Sequence, residues 1–237
     1  MNKIIHRSNE RGSADHGWLK VNHSFSFSTW YDPNKMNFGA LRVLNDDQVA
    51  PAMGFGQHPH DNMEIITIPL SGSLRHRDTL GNTGDIKANE IQVMSAGTGI
   101  QHSEINPSQD EWLRLFQIWI IPKERNVAPR YEQLDYSNLD LSNNFVQLIS
   151  PNADDEGLWI HQDAWIHMTE LDQSTKKTYE MKKPGNGLYL MVVEGEVNIA
   201  GDILSDRDAI GISDITDIEI EPIKNSKLLL IEVPMKF

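Results

Sequence analysis

Two short stretches carry side chains that could act together on a metal. Gln57-His58-Pro59-His60 sets two imidazoles two residues apart, and His102-Ser103-Glu104 repeats the spacing with an imidazole and a carboxylate. Side chains on a strand alternate between faces, so His58 and His60 point the same way, about 6–7 Å apart along the strand. Pro59 keeps His58 extended, because the residue before a proline is pushed out of the helical region. The two pairs together offer three nitrogens and one oxygen. That donor set suits Fe, Zn, Cu, Ni, Mn or Co and leaves positions free for water, substrate or dioxygen. The chain has 9 histidines, so surface histidines meeting by chance is the competing reading of either pair alone. The second pair, opening its own turn, raises the metal reading above it.

Composition narrows the chemistry further. The 237 residues include no cysteine, which excludes disulfides, thiolate metal sites and cysteine nucleophiles. Any metal must therefore be held by nitrogen and oxygen. A formal net charge of −13 argues against direct nucleic-acid binding, which needs clustered Lys and Arg on phosphates. The one basic cluster, Arg75-His76-Arg77, is followed at once by Asp78 and reads as a solvated hairpin. Hydrophobic content of 39% and charged content of 23% are ordinary for a soluble globular chain. No apolar run is long enough for a membrane span. Met1 to Glu10 lacks the apolar stretch of a signal peptide, so cytoplasmic residence is expected.

The elements that must position these pairs are strands. Short apolar segments such as Leu41–Leu44, Ile65–Leu70, Ile91–Met94, Leu113–Ile121, Phe145–Ile149, Leu188–Val193 and Leu228–Val233 recur between Gly, Pro, Asn and Asp. They are rich in Ile, Val, Leu and aromatics, the pattern of an all-β barrel or sandwich. Helical periodicity is scarce, with Tyr131–Ser137 the best candidate for a short helical turn. An internal repeat is also present. Ile65–Leu70, a turn at Gly72 and Leu74–His76 correspond to Leu188–Val193, a turn at Gly195 and Val197–Ile199. The expected architecture is two jelly-roll-like β-barrels in one chain, residues 1–136 and 137–237, with the join near Ser137–Asn144. The positions opposite the two histidine pairs in the second half are Met181, Lys183, Ile220 and Pro222, which make no plausible site. The metal is therefore expected in the first half only.

His58-Pro59-His60, Glu64 and Gly72 resemble the first motif of the cupin superfamily; Gly97, His102 and Asn106 resemble the second. The stretch Ser95-Ala96-Gly97-Thr98-Gly99-Ile100-Gln101-His102-Ser103-Glu104 resembles the pirin family more narrowly. Asn9-Glu10-Arg11-Gly12 and His23-Ser24-Phe25-Ser26-Phe27 are similar to its bacterial, quercetin-dioxygenase-like members. The resemblance covers essentially the whole chain and implies a bicupin fold. It implies His58, His60, His102 and Glu104 as ligands of one divalent transition metal, with Fe(II) the first expectation. Two departures from the general cupin pattern stand out. Ser95 replaces a common proline, and His102 lies two residues further from Gly97 than usual. Glu64 stands where other cupins place a carboxylate ligand; on the pirin pattern it is a supporting or structural residue.

The activity that the resemblance implies is a dioxygenase taking O2 and a phenolic enol, a flavonol such as quercetin. Glu104 is expected to be the catalytic base as well as a ligand, with Glu64 the alternative base. The rival expectation is a non-catalytic, metal-containing module that senses redox state and docks on a protein partner. An open cavity at the metal speaks for the enzyme, and a plugged one for the module. Among remaining residues, Phe55, Phe116, Ile118 and Trp119 are candidates for cavity walls, at least two of them read as ordinary packing. His6, His16, His23 and His76 have no partner at ligand spacing and receive no role; His161 and His167 are read as satisfied or exposed histidines.

Overall fold

The computed structural model describes residues 1–237. Strands occupy most of the chain, and the one helix is a single 3-10 turn at Ser8–Glu10. In each half a large sheet faces a small one, so the halves are jelly-roll-like sandwiches and not closed barrels. In the N-terminal half the large sheet runs, in spatial order, Arg130–Asp135, Glu90–Ser95, Glu64–Ser71, Leu113–Ile120, Leu41–Val49, Leu19–His23, Gly12–Asp15. The small sheet runs Gly54–His60, Ile100–Ile105, Ser73–Asp78, Thr83–Lys87. The C-terminal half repeats the plan with one seven-stranded and one four-stranded sheet.

The repeated turn is visible in the backbone. Gly72 and Gly195 both adopt positive φ, +74° and +103°, where an L side chain is strained, and both join a long core strand to the next strand of the small sheet. One connection was not expected. The first strand, Asn2–His6, pairs antiparallel with Ala209–Ser213, so the start of the chain adds an edge strand to the far sheet. The segment Tyr131–Ser137, expected to hold a helical turn, is largely strand: Arg130–Asp135 pairs in register with Glu90–Ser95. The ladder outweighs a weak local propensity because each of its residues gains a cross-strand neighbour.

The two large sheets pack against each other, and their interface is the main core. Leu44, Ile66, Phe116 and Ile118 from one half meet Ile166, Met191, Leu229 and Ile231 from the other, all fully buried. The opposite face of the N-terminal large sheet therefore looks into its own sandwich, toward the small sheet. The strand Leu113–Ile120 divides its side chains accordingly: Phe116 and Ile118 enter the core between the halves, Gln117 and Trp119 the sandwich interior.

Candidate metal centre

Strand Ile100–Ile105 is the middle of the construction. On one side it pairs with Gly54–His60, placing His102 directly opposite His58 and Ile100 opposite His60. On the other it pairs with Ser73–Asp78, placing His102 opposite Asp78 and Glu104 opposite His76. Side chains directly opposite on one face lie about 4.5–5.5 Å apart at Cβ, so register alone gathers these residues. A bulge between His102 and Glu104 sets Glu104 against Phe55. Gly54–His60 is an edge strand, which is why Pro59 is tolerated within it.

The three imidazoles converge. Ring centroids are 4.8 Å apart for His58 and His60, 4.4 Å for His58 and His102, and 4.9 Å for His60 and His102. Their donor nitrogens lie within 4.8 Å of one another. His58 Nδ1 donates to the carbonyl of Gly56 at 2.8 Å, so its lone pair is on Nε2. Burial, reinforced by neighbouring His58, lowers His60 to about 4, and burial with the adjacent histidines lowers His102 to about 2. Both rings are therefore neutral near pH 7 and keep a lone pair for a Lewis acid. His102 is buried and neither of its nitrogens has a hydrogen-bond partner. Buried polar atoms are almost always satisfied, so this ring calls for something else to bind it.

Glu104 sits behind these rings, fully enclosed. Gln117 Nε2 donates to its Oε2 at 3.0 Å and Thr67 Oγ1 to its Oε1 at 3.3 Å. Burial pushes its carboxyl up, against the opposing pull of His76, His58 and these hydrogen bonds. The three imidazoles make a donor set that suits a divalent transition metal, while the Glu104 carboxylate lies within 4.8 Å of donor nitrogens of His102 and His76 and is not gathered with His58 and His60 in the same way.

A cavity of about 200 Å³ leads to these groups. Phe27, Phe55, Ile65 and Trp119 give it apolar walls; Asn45, Asp47 and Gln117 supply polar ones. His58 and His60 are half-buried, so the cluster reaches the surface through them. Of the four aromatic and aliphatic candidates, Phe55 and Trp119 line the cavity, while Phe116 and Ile118 pack between the halves. Asp47 escaped sequence reasoning. Its burial, and then the neighbouring Asp46 and Glu104, push its carboxyl well above the usual carboxylate range, so it offers an O–H donor to the cavity. The signal available was a pair of adjacent aspartates within the strand Leu41–Val49, which opens and closes on apolar residues.

His76 also departs from expectation. The segment 75–78 is not a solvated hairpin. Strand alternation turns Arg77 to the surface and puts His76 and Asp78 inside, with both side chains fully buried and 3.0 Å apart. The donor atoms of His76, His102 and Glu104 lie within 4.8 Å of one another.

Glu64 lies elsewhere. It begins the strand Glu64–Ser71, is buried, and accepts a hydrogen bond from Ser95 Oγ at 2.6 Å. His23 is buried too, its ring hydrogen-bonded to Asn45 at 2.8 Å. In the C-terminal half, Ile220 is core and Met181 packs against it, while Lys183 pairs with Asp163. His167 is buried beside Tyr179, and His161 stacks edge-on with Trp159. A larger groove, about 910 Å³, is lined by Phe145, Trp165 and His167. It gathers no comparable set of donors, so size does not decide where the chemistry lies.

The fold agrees with what comparison with known proteins finds. The sequence pattern described as Pirin matches residues 5–120, and that of a quercetinase C-terminal cupin domain matches residues 147–233. An Escherichia coli K12 protein named quercetin 2,3-dioxygenase is 43% identical over 230 residues, 97% of this chain and 98% of its own. The chain belongs to the pirin family. A pirin-like protein of Caulobacter vibrioides is 45% identical over 222 residues, covering 93% of this chain and 95% of its own. The solved structure of the bacterial pirin YhhW from Escherichia coli, in complex with nickel(II), superposes with a TM-score of 0.93 at 42% identity. That superposition covers 98% of this pirin and 99% of YhhW. No helix of this pirin is long and apolar enough to cross a membrane.

Proposed function

We propose that this pirin is a metal-dependent dioxygenase acting on a small phenolic enol, of which a flavonol such as quercetin is the model substrate. His58, His60, His102 and Glu104 would hold one divalent transition metal, Fe(II) being the expected working ion. The observation that carries this reading is the convergence of three imidazoles and a buried carboxylate at an apolar cavity that reaches solvent. The names of its relatives support the same reaction class. A bound metal would supply Lewis acidity toward the enol hydroxyl and redox activity toward dioxygen.

The chain's own groups account for the rest. Phe27, Phe55, Ile65 and Trp119 exclude water and hold a planar ring by its faces. Glu104, made more basic by burial, takes the enol proton at a carboxylate oxygen. Gln117 and Thr67 keep that carboxylate from swinging freely. Asp47, kept protonated by burial, donates to a substrate oxygen from the wall. A cavity of about 200 Å³ is below the roughly 300–1,000 Å³ usual for whole ligands, so the reacting ring enters and the remainder of a flavonol stays at the mouth.

The test is anaerobic reconstitution with Fe(II), Mn(II), Co(II), Ni(II), Cu(II) and Zn(II) in turn. Oxygen consumption is then followed with a panel of enols and catechols that includes quercetin. Metal-dependent oxygen uptake with at least one enol is expected. Stoichiometric metal binding with no uptake from any substrate would leave only a binding or regulatory role and end the dioxygenase reading.

A further inference from the structure

His76 lies outside the ligand set and carries its own chemistry. Its ring is completely buried and is stacked on Tyr131, with centroids 4.5 Å apart and planes 24° from parallel. Its Nε2–H donates to Asp78 Oδ2 at 3.0 Å. Asp78 is itself pinned as an acceptor: its Oδ1 receives the backbone N–H groups of Leu80 and Asn82, and its Oδ2 the Asn82 side-chain amide. With Nε2 committed as donor, the lone pair of the neutral ring is on Nδ1. That nitrogen is buried and has no partner.

The complementary gap is on His102. A neutral imidazole that gives one nitrogen to a metal keeps an N–H on the other, and that N–H needs an acceptor where water is excluded. For His58 the acceptor is already in place, the carbonyl of Gly56 at 2.8 Å. For His102 neither nitrogen has one. Three groups surround its ring on the buried side. Glu104 already accepts from Thr67 and Gln117, and Asp78 from His76, Leu80 and Asn82. Of these acceptors His76 Nδ1 is the one that receives no hydrogen bond at all, with ring centroids 5.4 Å apart.

We propose that His76, held by Asp78, is a positioning residue for His102, its Nδ1 accepting a hydrogen bond from the His102 nitrogen that faces away from the metal. The inference rests on the metal reading above. The donor atoms of the two rings lie within 4.8 Å of one another, and no hydrogen bond holds the His102 ring against a turn toward His76. The arrangement is a carboxylate–imidazole–imidazole chain running from a surface turn to the metal, built on two neighbouring strands by the pairing of His102 with Asp78 and of Glu104 with His76.

The experiment loads the full chain with one equivalent of Co(II) and compares wild type, His76→Phe and His76→Gln. Phe keeps the stacking volume but removes the acceptor, whereas Gln restores an acceptor through its amide oxygen. Proton NMR of the Co(II) form reads the shifted imidazole N–H signals and their exchange with solvent; chelator competition reads the Co(II) Kd. In wild type a slowly exchanging N–H from His102 is expected beside that of His58. His76→Phe should lose the His102 signal and weaken Co(II) binding about 10- to 100-fold, the usual effect of removing such a partner. Its stoichiometry should stay at one, and His76→Gln should recover most of the affinity. An unchanged N–H signal and Kd in His76→Phe would overturn the proposal. So would loss of one imidazole from the cobalt shell by X-ray absorption, which would make His76 a ligand. If wild type binds no Co(II), the metal reading itself falls, an outcome distinct from a wild type that binds and a His76→Phe that matches it.

Discussion

Gln117 Nε2 donates to Glu104 Oε2 at 3.0 Å, tying the large sheet to the small one at the buried carboxylate. The bond crosses the sandwich interior and aims a group from the strand Leu113–Ile120 at a buried carboxylate beside His102. Glu64, the other candidate base, instead points its carboxylate at Ser95.

That contrast sets the first prediction. Glu104→Gln should lower oxygen consumption per bound metal by roughly 10²–10⁴, the usual loss for a general base, because an amide cannot take the proton. Glu64→Gln should leave turnover per metal near the wild-type value. Metal content and oxygen uptake measured on the same samples separate weaker metal binding from lost chemistry. Full turnover in Glu104→Gln with loss in Glu64→Gln would transfer the base role to Glu64.

Either His58→Ala or His60→Ala should abolish stoichiometric metal binding while the fold survives. Both side chains are half-buried at an edge strand, outside the main core between the large sheets. Elemental analysis after reconstitution, with far-UV circular dichroism as the control for folding, checks this. Full metal occupancy in His60→Ala would remove it from the ligand set.

Stability should depend on pH through Glu64. Burial raises its carboxyl from 4.5 to about 7, despite the hydrogen bond from Ser95 and the nearby Arg130. Between these values the folded chain holds a proton that the unfolded chain has released, so stability falls as pH rises across that window. At 1.36 kcal/mol per unit the loss is on the order of 3 kcal/mol, complete above about pH 7. Glu64→Gln, a neutral mimic of the acid, should match wild type near pH 4.5 and exceed it near pH 8. Denaturant titrations of both proteins at the two pH values read the difference; parallel curves would show that Glu64 titrates normally.

Phe116→Ala should destabilise the protein by about 3–5 kcal/mol, the range for a buried phenylalanine in a core that cannot fully collapse. Phe116 is fully buried between the two halves, with the Arg207 guanidinium 5.3 Å from its ring. Because it faces away from the cavity, the Co(II) Kd of the folded variant should stay at the wild-type value. A large change in affinity would mean that the interface between the halves shapes the metal site.

Local sequence settled what could be read from spacing. The alternation of strands puts His58 and His60 on one face and His102 and Glu104 on another, whatever the rest of the chain does. Apolar segments broken by glycines at positive φ, Gly72 and Gly195, made two similar β halves legible. Pairing partners were not legible, because a hydrogen-bonded ladder joins residues far apart in sequence. Nothing near His76 announces that its strand lies beside Ile100–Ile105, so a buried acid–imidazole pair looked like a polar turn. Nor does the start of the chain announce its partner, Ala209–Ser213. Which face of Leu41–Val49 meets the cavity and which the other half was likewise decided by packing of the large sheets, and that choice buries Asp47 beside the imidazoles. Spacing determines which side chains share a face. Only the tertiary register determines which faces meet, because burial acts on surfaces brought together from distant parts of the chain.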